Sequence, residues 1–137
     1  MSNFVYPKTK EAILNGNINF SGNQFKLLLI NSSNYTPNQT TDQFVSDIPS
    51  NAKVYTTSAI SNLTNNSGTV DADDVSITLP SNYAFEAIVL FQQGTSDANS
   101  RLIMYIDTAE GLPFVNTLEQ TSMSIVWSNT STKILSI

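Results

Sequence analysis

The sequence is 137 residues long and 40% hydrophobic, enough for one packed core but not two, so a single domain is expected. Against 11 acidic residues stand 6 basic ones, for a net charge of -5; Lys8, Lys10, Lys26, Lys53, Arg101 and Lys133 are scattered, which excludes the clustered cations that bind a polyphosphate backbone. With no Cys and no His, disulfides, thiolate metal sites and every role of imidazole as base, ligand or triad member are excluded as well.

In chain order, the start "MSNFVYPKTKEAILNG" lacks the basic, apolar and small-residue sections of a signal peptide. No apolar run nears the ~18 residues of a membrane span, so a product made in the cytosol, with no membrane partner, is expected. Pro7 suits a helix start and Asn15-Gly16 a left-handed stop, which predicts a short helix between them. "FKLLLI", Phe25 to Ile30, has too many consecutive apolar side chains for a surface strand and predicts a central one covered on both faces. The loop "NYTPNQTTDQFVSDIP" follows, with Thr41 or Asp42 as cap of a short helix anchored by Phe44, Val45 and Ile48.

From residue 52 the pattern is β. "AKVYTTSAI" and "SGTVDADDVSITLP" read as a hairpin around "SNLTNNSG", and "AFEAIVLFQQ" and "RLIMYIDT" as a second hairpin around "GTSDANS". After a connection at Gly111 and Pro113, "TSMSIVWS" places Met123, Ile125 and Trp127 on one face, and "TKILSI" closes the chain as a pairing strand. Seven to nine short strands with little helix define the expected class: all-β with minor α, a β-sandwich or jelly-roll-like single domain with a short N-terminal helix.

The chemistry is sparse. There is no G-x-S-x-G turn, no phosphate-cradling loop and no dinucleotide-type glycine pair, so no enzyme activity and no cofactor are expected. Asp71, Asp73 and Asp74 crowd four residues, but counting Asp71 as first, Ser76 and Asn82 occupy the two diagnostic places of a helix-flanked calcium loop. A looser cation site with Asn65 or Asn66 is the alternative to solvated turn carboxylates that discourage strand association. Asp107 and Glu110 admit a glycosidase-type pair or a plain turn, and the turn is the expectation. The sequons at Asn31, Asn34, Asn38, Asn62, Asn65 and Asn129 read as an Asn- and Thr-rich surface.

Asn, Ser and Thr make up roughly a third of the chain, a surface of amides and hydroxyls suited to hydrogen bonding against another protein. The aromatic residues beside loops are read as contact anchors: Phe4 and Tyr6 in an N-terminal contact arm over residues 1–7, Tyr35 and Pro37 in the loop 34–41, and Tyr83 and Phe114 further on. The arm is expected to be dispensable for folding.

The strings "KEAILNGNINF", "FKLLLINSSNYTPN", "AKVYTT", "VDADDVSITLP", "AFEAIVLFQQGTSDANSRLIMYIDTAEGLPF" and "MSIVWSNTSTKILSI", which span nearly the whole chain in order, resemble a family of small virion structural proteins of tailed bacteriophages. The resemblance implies a capsid decoration or cement protein on the outer head surface, with the major capsid protein as partner and a homo-oligomer, a trimer above all, as its state. It brings no active-site residues. A tail, neck or baseplate component and a host-glycan-binding module supported by the loop tyrosines are the alternatives.

Overall fold

The computed structural model describes residues 3–20, 24–80, 83–109, 112–115, 120–127 and 135–136. A pair of residues, Phe4–Val5 (β1), leads into the helix Pro7–Leu14 (α1), whose first position is the proline and whose end is turned by Gly16 at φ 74°. Phe25–Ile30 (β2) and Lys53–Thr56 (β3) follow, separated by a loop with 3-10 turns at Val45–Asp47 and Ser50–Ala52. Next come Thr64–Asn66 (β4), Thr69–Asp71 (β5), Val75–Pro80 (β6), Ala84–Phe85 (β7), Ala87–Gln92 (β8) and Arg101–Ile106 (β9). Phe114–Val115 (β10), Gln120–Ile125 (β11) and Leu135–Ser136 (β12) complete the described strands.

The fold is all-β with one short helix, built around a five-stranded antiparallel sheet in the order β1-β9-β8-β2-β3. Both faces of this sheet are covered, which is why β2 and β8 read as unbroken apolar runs. Leu27, Leu29, Ile88, Leu90 and Ile103 point into one core with Val70, Ile77, Leu79, Phe85 and Trp127 from a second layer of smaller antiparallel pairs. That layer contains β6 with β11, β7 with β10, and β5 between β4 and β12, and it completes a sandwich. Leu28, Ile30, Val89, Phe91 and Leu102 point the other way, into a core closed by Tyr6, Tyr35, Val45 and Ile48.

Several sequence expectations hold: α1, the interior place of β2, the hairpin β8–β9, and the shared face of Met123, Ile125 and Trp127. Three are corrected. Lys53–Thr56 does not form a hairpin with the segment after residue 68 but joins the edge of the main sheet beside β2. The actual reversal is tighter, with Ser67 at φ 53° and Gly68 at φ 82° linking β4 to β5, so Thr64–Asn66 of the expected turn are themselves strand.

The cap before residue 45 is neither Thr41 nor Asp42. Asp47 reaches back and accepts from the Gln43 and Phe44 backbone N–H groups, each at 2.9 Å, while Asp42 faces the core.

The third correction concerns the contact arm. Phe4 and Val5 pair with Tyr105 and Met104 at the sheet edge, and Tyr6 is 0% exposed. Asn3 Oδ1 accepts from the Asp107 and Thr108 N–H groups, both at 2.9 Å, and its amide donates to the Thr108 carbonyl at 3.0 Å. Apolar side chains and an amide with a complementary turn opposite it make residues 3–6 part of the body. Met1 and Ser2 lie outside the described residues.

Candidate functional site

Of the six expected contact residues, three are interior. Tyr6, Tyr35 and Pro37 are buried, and the two tyrosines close the second core. The Tyr6 and Tyr35 hydroxyls lie 3.0 Å apart, the Tyr35 hydroxyl donates to Asp42 Oδ2 at 2.8 Å, and the Asn38 N–H donates to the same oxygen at 2.8 Å. Burial raises the ionisation of both phenols well above the ordinary tyrosine range, and the negative charge of Asp42 adds to the rise. The triad ties the loop 35–42 to the N-terminus; it is an internal brace, not a docking surface.

Phe4 keeps part of its ring exposed while packing against Tyr6 and Tyr105, at centroid distances of 5.1 and 5.5 Å. Tyr83 and Phe114 are half-buried against the inter-layer core, Phe114 with its ring 5.2 Å from that of Phe85.

The acidic stretch resolves into a turn with defined duties. Asp74 Oδ1 accepts the Trp127 backbone N–H at 3.0 Å, the Asp73 carbonyl accepts the Trp127 indole N–H at 3.1 Å, and Asp73 Oδ2 accepts the Asn62 side-chain amide at 2.7 Å. The turn between β5 and β6 thus holds the residues after β11 in place. Among the described residues no group of three or more acidic side chains is gathered so as to hold a metal ion. Asp107 sits in the turn clamped by Asn3, and Glu110, the other carboxylate of the expected alternative, lies outside the described residues.

Two surface features remain. The outer face of the β6–β11 ribbon carries Ser76, Thr78, Ser122 and Ser124, all exposed, with Ser76 opposite Ser124 and Thr78 opposite Ser122, each hydroxyl pair 3.5 Å apart. Beside it runs a groove of about 600 Å³ walled by Ile88, Leu112, Phe114, Met123, Val126 and Trp127. Val126 is 64% exposed at its lip.

Sequence reasoning found Phe114 but missed the groove, because its walls come from three separated segments. The one available signal was Val126 directly beside Trp127, which breaks the apolar-polar alternation of "SMSIVW" and puts an aliphatic side chain on the hydroxyl face. Among the described residues no helix is long and apolar enough to cross a membrane. No family model matches the chain, and no curated protein matches it in sequence.

Proposed function

We propose that this protein is a structural component of a tailed-phage virion, and within it a head decoration protein that binds the outer capsid lattice. The observation that carries the reading is the use made of the polar groups. The carboxylates of Asp42, Asp47, Asp73 and Asp74 hold loops and turns, while the outward surface of the second layer offers neutral hydroxyls next to an apolar groove. A broad hydrogen-bonding face beside apolar anchors is the composition of a protein interface, in which polar rims surround a few well-packed side chains. The sequence resemblance supports the setting.

In this role the protein contributes no chemistry. It binds the assembled lattice and not free capsid subunits, so it stabilises the mature head by mass action. Several copies linked to one another add avidity, so each contact with the major capsid protein need only be modest. The rigid body between the contacts is the two-layer sandwich, and the contact with the lattice lies on the hydroxyl face in place of the N-terminal residues.

The test is quantitative protein composition of purified particles, with labelled protein located by electron microscopy. A copy number matching the repeating sites of the capsid lattice, with label over the head, is expected. Label confined to a ring or fibre would move the protein to the tail, and its absence from particles would end the reading.

A further inference from the structure

The exposed apolar side chains of this fold form a matched pair. Among the described residues two large hydrophobic side chains stand out into solvent: Leu14, 86% exposed at the end of α1, and Val126 at the lip of the groove. A single exposed leucine needs no explanation. Leu14, however, lies one helical turn after Lys10, which is also exposed, so the two share one stripe of α1. Of the other charges on this helix, Glu11 is engaged by Lys8 at 3.1 Å, which leaves α1 with two cations against one carboxylate.

The groove has the opposite charge around it. Residues 54–100 and 102–132 contain no Lys or Arg, and every described wall of the groove and every strand of the second layer except β12 falls within them. Acidic residues flank its walls: Asp73 and Asp74 in the turn tied to Trp127 through the Asp73 carbonyl and the Asp74 carboxylate, and Asp107, two residues before Ala109 of the same groove. An acidic, apolar groove cannot face its own copy across a two-fold axis without setting carboxylates against carboxylates. It can face the α1 end of another copy, where an aliphatic knob comes with a lysine beside it.

We propose that this chain associates with itself head to tail, with Leu14 of one copy seated in the groove beside Val126 of the next and Lys10 set against the acidic rim of Asp73, Asp74 and Asp107. The contact is heterologous, the kind that generates a closed ring when its rotation returns to the start. It deepens the structural role proposed above and rests on that reading only for its biological setting; the contact itself is a property of the isolated chain.

Sedimentation velocity of the purified full chain tests it. The wild-type protein is expected to form a discrete oligomer that dissociates as salt is raised, because the charged part of the contact is screened. Leu14→Asp and Val126→Asp should each sediment as monomers with an unchanged circular dichroism spectrum, since both side chains are exposed. The decisive experiment mixes the two variants. A head-to-tail contact predicts a heterodimer, because the intact Leu14 of the Val126 variant still fits the intact groove of the Leu14 variant, whereas a symmetric contact predicts no association.

A monomeric wild type up to millimolar concentration, or an oligomer that survives Leu14→Asp, would overturn the contact whatever the particle contains. Conversely, a Leu14-dependent oligomer in a protein absent from particles would leave the contact standing and remove the virion role.

Discussion

Tyr35 donates its hydroxyl hydrogen to Asp42 Oδ2 across 2.8 Å inside the core that closes one face of the main sheet. The pair is seven residues apart in sequence, yet the Tyr6 hydroxyl, 3.0 Å from that of Tyr35, extends it to the N-terminus. Tyr35→Phe should cost about 1–3 kcal/mol, since it leaves a buried carboxylate one donor short. Tyr6→Phe removes only the outer hydroxyl and should cost about 1 kcal/mol. Urea unfolding of both single variants and the double variant should give less than the sum, because the three groups form one network.

The same network sets an alkaline limit. Burial raises the folded-state ionisation of Tyr6, Tyr35 and Tyr105 above the ordinary value of 10, whereas in the unfolded chain they ionise near it. Above that pH the unfolded state holds fewer protons than the folded one, so stability falls as pH rises; it is fully present below it. Each phenol kept protonated by folding steepens the fall by up to about 1.4 kcal/mol per pH unit. Urea midpoints between neutral pH and about pH 11 should therefore decline above about pH 10, and less steeply for Tyr35→Phe. A flat profile would contradict the burial of these hydroxyls.

Truncation separates the body from an arm. Because Phe4 and Val5 complete the sheet edge and Tyr6 is fully enclosed, removing residues 2–6 should destabilise the protein by at least the ~3–5 kcal/mol of a large aromatic truncation. A truncated protein with an unchanged urea midpoint would restore the arm.

What could be read from the sequence divides along physical lines. Local signals carried through: Pro7 and Gly16 bracket α1, and the continuous apolar runs of β2 and β8 identify strands covered on both faces. Pairing did not carry through as well. Nothing in "AKVYTT" distinguishes a hairpin partner from an edge strand of a sheet whose other members lie far along the chain, and β3 proved to be the latter. Aromatic residues next to polar loops were read as exposed, but a phenol can be buried when its hydroxyl finds a partner, as Tyr35 does in Asp42. The groove, assembled from β7 and β8, the segment leading into β10, and the end of β11 with the two residues after it, is a tertiary feature with no local trace beyond Val126.

Trp127 gives a direct optical readout of the acidic turn. It is the chain's single tryptophan, 7% exposed, and both of its N–H groups are held by the turn between β5 and β6. Asp74→Ala should shift its fluorescence to longer wavelength as the residue loosens, and should lower stability by about 1 kcal/mol, the lower part of the range because Asp74 is itself exposed. Asp73→Ala should leave the emission nearer to that of the wild type, because the indole donates to the Asp73 backbone carbonyl and not to its side chain. Equal shifts in the two variants would refute this division of labour.

The reversal between β4 and β5 contains an avoidable strain. Two-residue hairpins of this hand need positive φ at both central positions; Gly68 at 82° meets that freely, but Ser67 at 53° carries a Cβ into the left-handed region. Asn tolerates that region better than Ser because its short amide bonds to nearby backbone. Ser67→Asn and Ser67→Gly should therefore each raise stability by up to about 1 kcal/mol, and Ser67→Val should lower it, since branching at Cβ makes the left-handed conformation worse. Thermal denaturation orders the three variants. A Val variant as stable as the wild type would mean that Ser67 does not hold the positive φ on which the tight β4–β5 hairpin depends.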